Sequence, residues 1–275
     1  MATINTNVAA TLTTYALSKN ERALNQSLER LSTGLRINSA ADDAAGLAIS
    51  STMTTQIKGL DMAVKNANDA ISMVQTADGA SIEIGNMLQR MREVAVQAIN
   101  GTQTASNLSA LNLEFQALMT QIERIADQTQ WNGANLIDGS VGSSGVVTFQ
   151  VGANASQTMT VDFGNLQTGQ DLTIGSNDVE NSVNASAALA VIDADLATLS
   201  NQRAVYGAAI NRLEHTIDNL GNISTNTQAA RSRIQDADYA VETTELARAQ
   251  IIQEASTAML AQANQQQQSV LALIK

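Results

Sequence analysis

The stretch MTTQIKGLDMAVKNANDAISMV, residues 53–74, decides the fold. Its apolar positions Met53, Ile57, Leu60, Val64, Ala67, Ile71 and Val74 alternate spacings of four and three without a break. With 3.6 residues per turn, that alternation keeps one apolar stripe facing a partner helix, which is the pattern of a coiled coil. The stripe continues less regularly through Ile84, Leu88 and Met91 to Asn100-Gly101, a natural helix stop. Upstream, Ser39 with Asp42 three residues on resembles a capping box, so the helix is expected to begin there or just after. At about 1.5 Å per residue, a helix from Ala45 to Ile99 is roughly 80 Å long, more than a compact chain of this size accommodates.

The same grammar extends to both sides. Before the long helix, Leu17, Leu24, Leu28, Leu31 and Leu35 fall on one helical face, ending in a break at Gly34 to Ser39. After it, Leu108, Leu111, Phe115, Leu118, Ile122 and Ile125 make a second helix that folds back. The grammar then changes: Trp131 to Gly175 holds eight of the 16 glycines and the turn pairs Asn132-Gly133 and Asp138-Gly139. Val147, Phe149 and Val151 alternate, as do Met159, Val161 and Phe163, with Gly152 to Gln157 between them, which reads as a β-hairpin with one apolar face. Helix resumes near Asn184 with a seam of Ile192, Leu196, Leu199, Arg203, Tyr206, Ile210, Leu213, Ile217 and Leu220. Arg203 is its one charge, either a register residue or a side chain that snorkels to solvent. From about Ala240 a weaker stripe follows: Ile252, Ala255, Met259, Ala263, Val270 and Leu273.

The expected fold is therefore mainly α, with long antiparallel coiled-coil helices from both chain ends and a small β-hairpin region mid-chain. Five segments follow: 1–40, a helical end; 41–130, the first half of a helical rod; 131–183, a β-hairpin and loop region; 184–235, the second half of the rod; 236–275, a helical end. The shallow, alanine-rich stripes of the two ends give a lone helix little to pack against. Both ends are expected to be loosely ordered in the monomer and to fold when neighbouring subunits cover them.

Composition agrees with long helices. The 275 residues include no proline, where average usage gives about 14, and proline breaks helix interiors. Aromatic residues are 3% of the chain, so packing rests on slender layers of Leu, Ile, Val, Met and Ala. There is no cysteine, hence no disulfide and no thiolate metal site. The net charge of −11 is unevenly spread: residues 1–60 carry +1, 61–92 carry −1, 93–200 carry −10 and 201–275 carry −1. An acidic middle argues against a nucleic-acid partner. Near-neutral ends can be brought together in many copies without accumulating repulsion. No run approaches the roughly 20 apolar residues of a membrane span, and the N-terminal stretch has no signal-peptide pattern, which by general rules points to the cytoplasm.

Several stretches together resemble the bacterial flagellins. SLERLSTGLRINSAADDAAGLAIS at Ser27 to Ser50, NANDAIS at Asn66 to Ser72 and LQRMREVAVQA at Leu88 to Ala98 are similar to that family's N-terminal half. WNGANLIDG at Trp131 to Gly139 resembles its entry into the β region. ARSRIQDADYA at Ala230 to Ala240 and RAQIIQEASTAMLAQANQ at Arg248 to Gln265 resemble its C-terminal half. The resemblance implies a subunit that polymerises into the flagellar filament, of a short form without large outer domains. It implies terminal helices in the filament core, here the positions of Leu24, Leu28, Leu31, Leu35, Ile252, Met259, Val270 and Leu273. It also replaces the cytoplasmic expectation with secretion through the flagellum's own export apparatus. Implied partners are further copies of the chain, an export chaperone at the C-terminal segment Ala240 to Lys275, and hook-associated and cap proteins. The alternatives are a hook–filament junction protein, or a secreted adhesin or immune-receptor ligand.

Gln89, Arg90, Arg92 and Glu93, with Glu114 on the neighbouring helix, resemble the family motif that a vertebrate innate immune receptor recognises, although Val94 stands where leucine is common. The same charges also suit contacts between subunits. No catalytic, cofactor or metal site is expected: His215 is the only histidine, and no HExxH pair exists. Asp42-Asp43 adjoins a helix start, where carboxylates favour the dipole.

Overall fold

A computed structural model describes residues 6–272. Five helices carry the chain: α1, Val8–Thr33; α2, Ala44–Ile99; α3, Ala105–Gln128; α4, Ser182–Gln235; α5, Tyr239–Ala272. Between α3 and α4 lie β1, Gln130–Trp131; β2, Ala134–Asn135; β3, Val146–Gln150; β4, Thr158–Asp162; and a 3₁₀ turn at Thr173–Ser176. The fold is mainly α, and α2 runs unbroken for 56 residues. The chain divides into two compact units, one of Gln56–Thr225 and one of Met1–Thr55 with Asn226–Lys275, with boundaries inside α2 and α4.

In the unit of residues 56–225, α2 turns a line of small residues inward. Ala63, Ala67, Ala70, Val74, Ala77, Ser81, Ile84, Leu88, Met91, Ala95 and Ala98 are buried, whereas Val64 and Ile71 of the expected stripe are half-buried. Alanine at the contact lets neighbouring backbones approach, and the buried Ser81 hydroxyl is satisfied by the Ala77 carbonyl at 2.8 Å. Phe115, Ile122 and Ala126 of α3 join the same core, as do Ile192, Leu199, Tyr206 and Leu213 of α4.

The hairpin forms as its alternation requires. β3 and β4 pair antiparallel with Val147 opposite Val161 and Phe149 opposite Met159. Met159, Val161 and Phe163 are buried. Its tip rests on α2: a Cβ at Gly59 would lie 3.0 Å from the Ala153 Cβ, so glycine is what lets the loop approach. Asn66 Nδ2 donates to the Gln150 carbonyl at 3.1 Å. The Tyr206 hydroxyl donates to the Phe163 carbonyl at 2.7 Å, and burial pushes that phenol up to about 12. Asp195, 1% exposed, accepts from Thr173 N, Thr173 Oγ1 and Ile174 N at 2.9, 2.9 and 3.0 Å, fastening the 3₁₀ turn to α4.

One stretch of α4 reaches a mean hydropathy of 1.2 over 18 residues, long and apolar enough by composition for a membrane span. That hydropathy comes from valine, leucine and isoleucine interspersed with alanine, and Ala185, Ala188, Ile192 and Leu199 are buried in the unit's core.

In the unit built from the two ends, α1 and α5 pack side by side and antiparallel. The covered face of α1 is Ala10, Thr13, Leu17, Asn20, Leu24, Ser27 and Leu31, and that of α5 is Glu242, Leu246, Ala249, Gln253, Ser256, Leu260 and Ala263. Both lines keep the three-four spacing, but small and polar residues occupy the most buried positions. This corrects the expected stripes in part: Leu17, Leu24, Leu31 and Ala263 lie on the covered lines, whereas Leu28, Ile252, Ala255 and Met259 do not. Leu24, Leu31 and Leu35 are half-buried, whereas Leu28, Ile252 and Met259 are exposed. The Val270 side chain and Leu273 lie outside the described residues.

Gly34 closes α1 with φ +72°, its N–H reaching the Arg30 carbonyl at 2.8 Å, a geometry that favours glycine. Leu35 then bridges to Asp236. The cap lies four residues beyond the expected Ser39, at Asp43. Asp42 accepts from Ser39 N, Ser39 Oγ and Asn38 N and closes the preceding turn, while the α2 cap is Asp43, whose Oδ1 accepts from Gly46 N at 2.9 Å. The bonds from Ser39 hold the Asp42 carboxyl below the usual range.

Candidate assembly interface

The most buried positions of the α1–α5 seam are small or polar, and polar ties there help fix its alignment. Asn20 Nδ2 donates to the Ala249 carbonyl at 2.7 Å, and Asn7 Nδ2 to the Ala263 carbonyl at 3.2 Å. Arg30 meets Glu242 at 2.9 Å, with the Glu242 side chain 8% exposed. A buried amide bonded to one carbonyl leaves its donor unsatisfied if the helices slip by a turn, so the ties select one register.

The large apolar residues face outward instead. Val8, Leu12 and Tyr15 of α1 are 56%, 64% and 68% exposed and follow the same four-three spacing, so they form one outer row. On α5, Ile251, Ile252 and Met259 are exposed as well, Ile252 and Met259 seven residues apart on one face, with Tyr239 and Val241 near its start. These rows have no cover within the described chain. Contiguous exposed apolar surface of this kind marks a contact with another macromolecule.

A second constellation lies in the other unit. Arg90 reaches Glu93 at 2.8 Å on its own helix and Glu114 at 2.8 Å on α3. Arg92 reaches Asp193 at 2.7 Å on α4. Met91 between them is fully buried. The arginines thus leave α2 on opposite sides of its buried line, one toward α3 and one toward α4. Hydrogen bonds, to Glu93 and Glu114 for Arg90 and to Asp193 for Arg92, push both guanidinium groups further toward the charged form. All these side chains are about half exposed, so solvent screens each pair and it adds little to stability.

Gln89 is exposed and borders a groove of about 120 Å³ with Ser81, Gly85, Leu199 and Arg203. Arg203 stands at the rim of the α4 seam, not inside it, and meets Asp78 of α2 at 2.8 Å. The snorkelling alternative describes its position, with the ion pair at the edge of the packed face.

Sequence reasoning named Gln89, Arg90, Arg92, Glu93 and Glu114, and the structure brings Arg90, Glu93 and Glu114 together. It did not find Asp193 or Asp78, because an ion partner on a helix a hundred residues away depends on the register between helices. The signal present was only that acidic residues face basic ones at helical spacing. Among the described residues no group of three or more His, Cys, Asp or Glu is placed to hold a metal ion.

Two profiles match the chain: the bacterial flagellin N-terminal helical region over residues 4–141, and the bacterial flagellin C-terminal helical region over residues 189–274. A flagellin of Halalkalibacterium halodurans is 49% identical over 91% of this chain and 91% of its own length. A flagellin of Bacillus subtilis is 44% identical over 99% of both. Among solved structures, a Bacillus cereus flagellin superposes with a TM-score of 0.51 at 31% identity, covering 61% of this chain and 94% of that one.

Proposed function

The chain belongs to the bacterial flagellin family, and from that premise we propose that its α1–α5 pair supplies the core contacts of the polymer through the outward rows Val8, Leu12, Tyr15 and Ile251, Ile252, Met259. As a flagellin it is a structural subunit that polymerises into the flagellar filament, an extracellular organelle, in a family that is structural and not enzymatic. The observation that carries the proposal is the inversion of the usual pattern in the α1–α5 unit. Small and polar residues hold the most buried positions of the intramolecular seam, beside half-buried leucines, and a further set of large apolar residues is left for other copies. Contacts repeated head to tail without closing give a helical filament, and each added subunit covers the rows of the last.

Within this reading, segments 1–40 and 236–275 serve as core, 41–130 and 184–235 as the helical rod, and 131–183 as the outward, acidic skin. The high identity to flagellins along nearly the whole chain favours a filament subunit over a hook–filament junction protein. Secretion through the flagellar export apparatus fits the same reading, with an export chaperone engaging Ala240 to Lys275 and hook-associated and cap proteins bounding the polymer. A receptor contact at Gln89, Arg90, Arg92, Glu93 and Glu114 uses an exposed charge cluster that the monomer presents.

Electron microscopy of purified protein tests the core proposal. Wild type forms long filaments, and a Leu12→Asp, Ile251→Asp double variant remains monomeric with unchanged helix content. Filaments from the double variant would place the contacts elsewhere.

A further inference from the structure

The chain contains two Asn-Gly pairs, Asn100-Gly101 and Asn132-Gly133. Asn-Gly is the dipeptide in which a side-chain amide is most open to attack by the next backbone nitrogen, because glycine carries no Cβ to obstruct it. The fold treats the two pairs differently.

Asn100 ends α2 and is exposed. Its carbonyl accepts from Gln103 N at 3.1 Å, making a tight turn, and its side-chain Oδ1 accepts from Thr102 N at 3.4 Å. The Gly101 N–H donates no hydrogen bond among the described residues, and a Cβ at Gly101 would meet nothing within 4 Å. The turn thus leaves the attacking nitrogen unengaged and gives the attacked carbonyl a backbone donor, in the role an oxyanion-hole N–H plays. Asn132 is equally exposed but sits at the tip of the β1–β2 hairpin with φ +48°, and no hydrogen bond reaches its side chain among the described residues.

We propose that Asn100 is a site of spontaneous deamidation in the folded subunit, assisted by the Thr102 N–H. Base removes the Gly101 amide proton, and that nitrogen forms a bond to Asn100 Cγ. The developing negative charge on Oδ1 is held by Thr102 N–H. The bond from Cγ to the side-chain nitrogen breaks, and ammonia leaves after taking a proton from water. Water then opens the resulting succinimide at either carbonyl, giving aspartate or an isoaspartyl linkage. Either product places a new carboxylate at the C-terminal end of α2, where the helix carbonyls already carry partial negative charge. The isoaspartyl form also lengthens the turn backbone by one methylene.

The test incubates full-length protein in mildly alkaline oxygen-18 water and follows both asparagines by peptide mass spectrometry. Asn100 takes up the heavy oxygen, with both aspartyl and isoaspartyl products, about five-fold faster than Asn132, the factor expected for one hydrogen bond to the developing charge. Thr102→Pro, which removes the N–H, brings Asn100 down to the Asn132 rate without changing Asn132. Gly101→Ala suppresses conversion at Asn100 alone. Asn132 converting first, or a Thr102→Pro protein that deamidates Asn100 at the wild-type rate, overturns the proposal.

Discussion

Replacing Asp195 with alanine removes the acceptor that holds the Thr173–Ser176 turn against α4. The carboxylate is buried and accepts three hydrogen bonds, from Thr173 N, Thr173 Oγ1 and Ile174 N. In the variant the Thr173 hydroxyl can rotate to another acceptor, but the two backbone N–H groups cannot. At about 1–3 kcal/mol for each buried donor left unsatisfied, the loss is about 2–6 kcal/mol, a large part of the roughly 5–15 kcal/mol that holds a domain folded. Asp195→Asn keeps one oxygen for Thr173 but turns an amide NH₂ toward Ile174 N–H, so about half that loss is expected. Trp131, the single tryptophan, packs against the same core and reports urea unfolding by fluorescence. The pH dependence has a definite sign. Burial pushes the Asp195 carboxyl above its ordinary 3.8 and outweighs the bonds from Thr173 and Ile174. Its contribution is therefore full below the unfolded value and declines as pH rises through the folded one. The stability advantage of wild type over Asp195→Asn should be larger in acid than at neutrality. An alanine variant with the wild-type urea midpoint, or an advantage that grows toward neutral pH, would refute this account.

Asn20→Ala removes the buried bond to the Ala249 carbonyl. It should weaken the α1–α5 pair by about 1 kcal/mol and raise the critical concentration for polymerisation about five-fold, read by sedimentation of filaments. At Gly142, φ is +61° and a Cβ would collide with the Val146 carbonyl oxygen; Gly142→Ala should lower the urea stability of the 56–225 unit by about 2 kcal/mol or more. Arg90→Ala with Glu93→Ala breaks only exposed pairs, so thermal stability should be almost unchanged. Binding of the monomer to the innate immune receptor, measured beside wild type, should fall; unchanged binding removes these residues from the receptor contact.

The helices and the hairpin were legible because their signals are local. The 147–151 and 159–163 alternations fix both strands and their facing residues, and the glycine-rich turns around them fix where helix gives way. The seams were legible only in part. On α5 the stripe of Ile252, Ala255, Met259 and Ala263 meets the covered line only at Ala263; that line otherwise runs through Leu246, Ala249, Ser256 and Leu260. At 100° per residue, Ile252 lies about 60° around the helix from Ala249, so the true seam was missed by less than a quarter turn. Asp42 stands three residues after Ser39, as in a capping box, yet its bonds close a turn and Asp43 does the capping. The partners of Arg92 and Arg203 were illegible because nothing local encodes the stagger of α4 against α2.

That error in choosing the seam has a physical cause that also bears on assembly. Hydrophobic periodicity identifies the surface with the most to gain from leaving water, about 25 cal/mol for each Å² covered. In a chain that folds alone, that surface is the core. In a subunit that polymerises, the richest surface is better kept for the neighbour, because what the monomer buries within itself cannot contribute to growth of the polymer. The α1–α5 pair divides the labour in this way. Alanine, serine and asparagine, with one Arg–Glu pair, align the two helices at low apolar cost. Val8, Leu12, Tyr15, Ile251, Ile252 and Met259 stay outside, where covering them depends on a second copy. On the proposed reading, such an exposed stripe marks the polymer contact. Replacing Ala249 by leucine tests the division: it should make the α1–α5 seam bulkier and shift the pair, impairing polymerisation although the chain has become more apolar.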